Sequence, residues 1–276
     1  MSPRPDLDGA MARERAPDRP EASARPYPNT LSFRCIEAVV RGLVAYHRHE
    51  VRGVENLPRE GAAIVVTNHS LATYDSLLLA PHVADHIGRR MIGLVGRELL
   101  AAPGLGGIFS QFSALGTREN AERLLGVGEL ILAMPGGMRE SIRDARSRYR
   151  IDWAGRKGFA YLSLKTGAPI VLAACPRADD IFYVYPNPIT PFVYRRLKLP
   201  APLFRGLGPT PIPRPVKLTH HLSEPIFPPT TASAANTSGR ASSPSRRGDA
   251  DAALGDYHAR VVSRMDELMR EALASP

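Results

Sequence analysis

The sequence predicts an α/β domain: a central mixed, partly parallel sheet flanked by helices, entered through an amphipathic N-terminal helix. Three observations lead there. Short apolar runs alternate along the chain with segments of helical period. The loops richest in chemically useful side chains directly follow such runs, where sheets of this class gather function. The chain is also long enough for one large core, with 276 residues of which 43% are hydrophobic.

The elements follow in order. Residues 1–28 are proline-rich, charged and poor in large apolar side chains, which reads as a disordered tail. The domain proper is placed at 29–228. It opens with a helix from Thr30 to His47, in which Leu31, Ile36, Val39, Val40, Leu43 and Val44 recur at helical spacing among Arg34, Arg41 and Arg48. That helix suits an amphipathic surface element; an ordinary core helix is the alternative. Ala62–Thr67 reads as a strand and Ala72–His82 as a helix. Met91–Val95 is a strand, Arg97–Ala101 a short helix and Gly104–Gly107 a glycine-rich turn. Ser113–Leu115 is a short strand before the helix Glu119–Leu125, where Thr117 is placed to cap and Glu119 lies in the positive first turn. Strands at Leu130–Met134, Ile170–Ala174 and Val216–Leu222 follow, with a helix at Gly158–Lys165 after the first of them. Residues 229–248 are rich in Ser, Thr, Ala and Pro and read as a flexible linker. An amphipathic helix over 249–276, carrying Leu254, Tyr257, Val261, Met265, Leu268 and Leu273, then returns to the core.

The net charge is +9, from 36 Lys and Arg against 27 Asp and Glu. Such a surplus favours anionic partners: nucleic acid, acidic headgroups or a phosphate-bearing co-substrate. Nothing interleaves aromatic and basic residues as a single-strand nucleic-acid platform does, so nucleic acid is not expected. The two cysteines, Cys35 and Cys175, are far apart and fit a reducing compartment. No apolar run approaches the ~18–20 residues of a membrane span, and no secretory signal is evident. The expected location is cytoplasmic, peripheral on the cytosolic face of a membrane. Oligomeric state is left open.

Two loops carry the chemistry. Asn68-His69-Ser70-Leu71-Ala72-Thr73-Tyr74-Asp75 follows the first apolar strand. An imidazole can take a proton from a hydroxyl if its other nitrogen donates to a carboxylate, which fixes the tautomer and stabilises the imidazolium. Asp75 is the only acidic residue between Glu60 and Asp85, hence the local partner. A regular helix turns about 100° per residue and would splay the two side chains, so pairing requires a non-helical turn through Ser70 and Leu71. Otherwise His69 merely caps the next helix and Asp75 is a solvated first-turn carboxylate.

Met134-Pro135-Gly136-Gly137-Met138-Arg139-Glu140 follows a later strand. Its glycines let backbone approach a ligand closely, and Arg139 offers a planar cation to an oxyanion or phosphate. The plain alternative is a turn with an Arg139–Glu140 surface pair. A basic stretch follows, with Arg143, Arg146, Arg148, Arg150, Arg156 and Lys157. Arg118 is a further candidate anion contact. Adjacent His220 and His221 point to opposite faces of a strand, a poor metal arrangement. His47 and His49 likewise lack convincing metal partners. Nucleophile-elbow, phosphate-loop, Cys-x-x-Cys and His-Glu-x-x-His signatures do not occur.

The order of Asn68-His69 with Asp75, Gly116-Thr117-Arg118-Glu119, Pro135-Gly136-Gly137-Met138-Arg139-Glu140 and Gly167-Ala168-Pro169-Ile170 resembles the four blocks of the glycerolipid acyltransferase superfamily, over about residues 30–228. Two departures resemble its neutral-lipid branch, the transmembrane-protein-68-like and diacylglycerol acyltransferase type 2 relatives. Five residues rather than four separate His69 from Asp75, and the third block has Gly136 where Pro-Glu-Gly-Thr-Arg has Glu. The segment from Tyr149 to Ala160 also looks like that branch. The resemblance implies transfer of an acyl group from acyl-CoA or acyl carrier protein to a mono- or diacylglycerol hydroxyl, with a lysophospholipid acceptor or a non-catalytic lipid-binding protein as alternatives. It implies His69 as general base, Asp75 as the group orienting it, and Asn68, Arg118, Gly136, Gly137, Arg139 and Glu140 as substrate contacts. It implies no metal and no bound cofactor; the Thr30–His47 helix and its neighbouring arginines separately point to an anionic membrane surface as partner.

Overall fold

The computed structural model describes residues 30–101, 106–153, 155–197, 202–229 and 244–275. In chain order the elements are α1 (Leu31–Tyr46), β1 (Glu50–Arg52), β2 (Ala63–Thr67), α2 (Leu79–Ile87), β3 (Met91–Val95), α3 (Arg97–Leu100), α4 (Gly106–Phe109), β4 (Ser113–Leu115), α5 (Arg118–Gly126), β5 (Leu130–Ala133), α6 (Gly137–Ser141), α7 (Gly158–Thr166), β6 (Ile170–Ala174), β7 (Tyr183–Val184), α8 (Ile189–Leu197), β8 (Phe204–Arg205), β9 (Thr219–Leu222) and α9 (Pro244–Ala274). The expected tail at 1–28, residues 230–243 of the linker and the first half of the Gly104–Gly107 turn lie outside the described residues.

The main sheet has seven strands in the order β1-β9-β6-β2-β5-β3-β4. Strands β2 to β6 run parallel, and β9 meets β6 antiparallel while pairing parallel with β1. The sheet is thus mixed and largely parallel, as expected. Every residue of β2 and β6 is buried. A strand covered on both faces has no polar side to alternate with, so it reads as a continuous apolar run. On one face Ile64, Val66, Ile131, Ile170 and Leu172 pack with Leu124 of α5, Phe159 of α7 and Val261 and Met265 of α9. On the other, Val65, Leu132 and Val171 pack against Leu79, Val83 and Ile87 of α2.

The helices show how far local signals reach. Thr117 caps α5 by accepting from the Asn120 amide, as the spacing predicts, and Thr30 caps α1 by accepting from the Phe33 amide. No residue of α1 is fully buried. Val40, Leu43 and Val44 rest on the domain while Leu31 and Val39 face outward, so it is the amphipathic surface element. The helix expected at Ala72–His82 differs. Residues 74–78 form a 3-10 turn and the α-helix begins at Leu79, placing Pro81 in its first turn, where the missing N–H is not needed. α9 begins at Pro244, so 244–248 are helical rather than linker. Proline suits a first helical turn, and the register is set downstream, where the Tyr257 hydroxyl bonds to Ser163 Oγ (2.9 Å) and the Ile226 carbonyl (3.1 Å). β9 is shorter than the expected Val216–Leu222. Three-residue β1 and the small β7–β8 pair were not anticipated, being too short for a period to show. Among the described residues no helix is long and apolar enough to cross a membrane.

Candidate active site

Register brings the two loops together. β5 lies beside β2 with Val66 opposite Ala133, and β6 lies on the other side with Thr67 opposite Ala173. The loops that leave these strands at their carboxyl ends therefore meet, although nearly seventy residues separate the first two in sequence.

The loop after β2 is tied on both flanks. Asn68, fully buried, donates from Nδ2 to the Cys175 carbonyl (3.2 Å) and accepts the Cys175 amide at Oδ1 (2.9 Å). It fastens the β2 exit to the β6 exit. On the other side the His69 amide donates to Glu140 Oε2 (3.1 Å). Glu140 Oε1 accepts the Asp152 amide (3.2 Å) and pairs with Arg143 Nη1 (3.3 Å), and the residue is fully buried. Asn68 and Glu140 thus depart from expectation. Neither carboxamide nor carboxylate is open to substrate: both are fully buried and bonded inside the protein, Asn68 to backbone and Glu140 to two backbone amides and Arg143.

His69 is 7% exposed. Its Nδ1 lies 3.1 Å from the Ser70 carbonyl, which can only accept, so Nδ1 carries the proton and Nε2 is the basic nitrogen. Burial is the main cause pushing the imidazole down to about 4, with the Arg143 cation acting the same way and the Ser70 carbonyl against it. The ring is neutral at pH 7.

Asp75 does not take the expected place on His69 Nδ1. Its Oδ1 accepts from Ser70 Oγ (2.8 Å), and buried Oδ2 has no hydrogen-bond partner. The required non-helical turn does form: the Thr73 amide bonds to the Ser70 carbonyl (3.2 Å), and Thr73 has φ 62°. It brings Asp75 back to Ser70, one residue short of the imidazole. The carboxylate therefore acts on the residue whose carbonyl orients His69. Burial pushes Asp75 up to about 6, opposed by the Ser70 hydrogen bond.

The glycine turn is held by the protein itself. Arg156 Nη1 donates to the carbonyls of Pro135 and Gly136, both at 2.6 Å. Gly137 has φ 51°, and a Cβ there would come within 2.9 Å of Arg156 Nη1. Gly136 lies under Glu140. The close approaches that these glycines permit are to Arg156 and Glu140. Arg139 is exposed and paired with Asp152 Oδ2 (3.0 Å), not with Glu140. Arg118 stacks over Tyr161, 4.2 Å from the ring centre. It shares a groove with Arg156, Thr117 and Met134 whose lining, among the described residues, includes no carboxylate. The structure separates Arg118 from Arg139, which faces a neighbouring cleft with Asp152 and Tyr185.

Two participants were hidden in the sequence. Arg143 read as one cation in a run, yet it is the buried one, donating to Asp179 through Nε (3.1 Å) and Nη2 (2.7 Å). Its spacing of three from Glu140 was the available signal. Asp179 had no local signal at all. Away from these loops, His49 Nε2 and buried His220 Nδ1 share a hydrogen bond of 2.7 Å. An apolar groove opens at Ser76 and Leu77, just past Asp75, and is walled by Phe33, Ile36 and Val40 of α1 and Pro81 of α2.

The α/β domain thus holds a neutral, desolvated imidazole at the carboxyl edge of its parallel strands, beside a Pro-Gly-Gly turn. A model of the Acyltransferase family matches residues 48–175. An uncharacterized protein of Mycobacterium tuberculosis is 33% identical over 203 residues, 68% of this chain and 56% of that protein. The human "DGAT1/2-independent enzyme synthesizing storage lipids" is 28% identical over 184 residues, 66% of this chain and 54% of that protein. The crystal structure of the 1-acyl-sn-glycerophosphate (LPA) acyltransferase from Thermotoga maritima aligns with a TM-score of 0.47 and 17% identity, covering 84% of this chain and 79% of that one. Over residues 48–175 the chain belongs to the Acyltransferase family. It spans about half the length of the curated relatives it matches.

Proposed function

We propose that this chain transfers a fatty acyl group from a thioester, acyl-CoA or acyl carrier protein, to the hydroxyl of a mono- or diacylglycerol. The observation that carries the reading is His69: a buried imidazole, neutral at pH 7, with Nδ1 committed to a carbonyl. Nε2 takes the acceptor's hydroxyl proton as the oxygen attacks the thioester carbon. The C–O bond forms, the C–S bond breaks, and the imidazolium returns its proton to the departing sulfur. Burial disfavours that imidazolium, and the buried Asp75 carboxylate, ionised above about pH 6 and linked through Ser70, compensates its charge. A general base of this kind contributes roughly 10²- to 10⁴-fold. The apolar groove past Asp75 suits an acyl chain in chemistry.

The Arg118–Arg156 groove suits phosphate, either of the CoA donor or of a lysophospholipid acceptor. Two facts favour the neutral acceptor. Arg139 is already paired with Asp152, and the human relative's name refers to storage lipids. Membrane docking belongs to the same proposal. Leu31 and Val39 of α1, Ile189 and Phe192 of α8, and Leu203 and Leu207 are exposed, in a chain of net charge +9. The chain then works peripherally on the cytosolic, anionic face of a membrane.

The test is acyl transfer from palmitoyl-CoA to a panel of acceptors. Diacylglycerol or monoacylglycerol should be acylated, and His69→Ala should abolish turnover with folding intact. Incorporation into lysophosphatidic acid alone would reject the neutral acceptor. Unchanged synthesis by His69→Ala would reject His69 as the base, and no transfer to any acceptor would return the chain to a lipid-binding role. Flotation should favour anionic over neutral vesicles; equal partitioning or none contradicts docking.

A further inference from the structure

We infer that Glu140 is the positioning residue of the general base, and that its carboxylate fills the room a side chain at position 136 would otherwise fill. The inference rests on His69 being that base, but its geometry is independent of the acceptor. Gly136 has φ −61° and ψ −31°, a conformation open to any residue. Its backbone does not call for glycine. Space does: a Cβ at 136 would overlap Oε2, Cβ and Cδ of Glu140. The Glu140 side chain folds back from α6 across Gly136 and reaches the exit of β2.

There it joins three segments. Oε2 accepts the His69 amide (3.1 Å), Oε1 accepts the Asp152 amide (3.2 Å), and Arg143 supplies the counter-charge at 3.3 Å. A charge-assisted bond to a backbone amide, away from water, is among the stronger tethers available to a loop. It holds the Cα from which the imidazole projects, while the Ser70 carbonyl sets the ring's rotation. Positions 136 and 140 are then alternative origins for one carboxylate. The departure of this chain at position 136, glycine for the more usual glutamate of the third block, acquires a physical account: the carboxylate arrives from one helical turn later.

The test moves the carboxylate back. Glu140→Ala is compared with the pair Gly136→Glu/Glu140→Ala, following hydrogen exchange of the residue-69 amide by NMR alongside palmitoyl-CoA turnover with diacylglycerol. In Glu140→Ala that amide should exchange roughly 10- to 100-fold faster, as expected for loss of one charge-assisted hydrogen bond. kcat should fall by at least about tenfold, with KM for palmitoyl-CoA unchanged, since the interaction acts on the base and not on substrate. The paired variant should recover both slow exchange and kcat. A paired variant that unfolds, or whose residue-69 amide exchanges as fast as in Glu140→Ala, overturns the inference. So does unchanged exchange in Glu140→Ala. If the unsubstituted protein transfers no acyl group, the proposed function fails while the exchange measurements still decide the role of Glu140.

Discussion

Arg143 and Arg41 make nearly the same ion pair in different surroundings, and the difference sets a quantitative expectation. Arg143 grips both oxygens of Asp179 through Nε and Nη2 at 3.1 and 2.7 Å, with side chains 8% and 5% exposed. Arg41 grips both oxygens of Asp85 at 3.0 Å, with side chains 47% and 60% exposed. Replacing each arginine by methionine keeps much of the volume and removes the charge. At the surface, water rehydrates Asp85, so Arg41→Met should cost at most about 1 kcal/mol. Inside, Arg143→Met strands the carboxylates of Asp179 and Glu140 without a counter-charge, which should cost about 3–5 kcal/mol. At roughly 2–4 °C per kcal/mol for a chain of this size, Tm should fall by roughly 6–20 °C. Urea unfolding and thermal melts at pH 7 measure both variants. Adding Asp179→Asn to Arg143→Met should recover part of the loss, because the stranded charge is removed while an acceptor for the Tyr149 amide remains. Equal losses from Arg143→Met and Arg41→Met would refute the argument that burial decides the outcome.

Three further expectations follow from the same geometry. The His69 imidazole, pushed down to about 4 by burial, should show by NMR no protonation on titration from pH 8 to 5.5; a midpoint at 6 or above would contradict its desolvation. His49 is pushed down to about 3 by burial, so below its unfolded value near 6.5 the unfolded chain binds a proton the folded chain refuses, and stability falls with pH. From pH 6.5 to 5 this amounts to about 2 kcal/mol, at about 1.36 kcal/mol per pH unit. Raised Asp75 and Glu140 act with the opposite sign over that range, so the measurement is the difference in acid slope between the parent and His49→Gln, which should be shallower; identical slopes would reject the assignment. Asn68→Ala should cost about 2–4 kcal/mol in denaturant unfolding, because the Cys175 amide and carbonyl both lose their partner in a buried place, and a loss below about 1 kcal/mol would mean that the β2 and β6 exits are held by something else.

Much of the layering was legible because burial writes itself into short stretches of sequence. Met91–Val95, Ser113–Leu115 and Ile170–Ala174 are strands within the bounds their apolar runs suggested, and the Thr117 cap follows from a hydroxyl placed before a helical run. β1 was illegible because Glu-Val-Arg is too short for a two-residue period to declare itself. The site was legible only in outline. His69 and the Pro-Gly-Gly turn stand out by residue type and by what precedes them. Asn68 and Glu140 were substrate contacts only by the family resemblance, and a polar side chain in a loop reads alike whether it faces substrate or backbone.

The chain's sequence by itself determined which segments are apolar on both faces, that a helix starts just after Thr117, and that a histidine loop and a glycine turn each follow a strand. Only the tertiary structure decided that β5 lies directly beside β2, that Asp75 reaches Ser70 instead of His69, and that Arg143 is the buried arginine among several neighbours. Periodicity and capping are local, and a dozen residues suffice to express them. A hydrogen bond tolerates only a few tenths of an ångström, and its partners here come from strands brought together across the sheet, so its identity exists only once the whole sheet has closed.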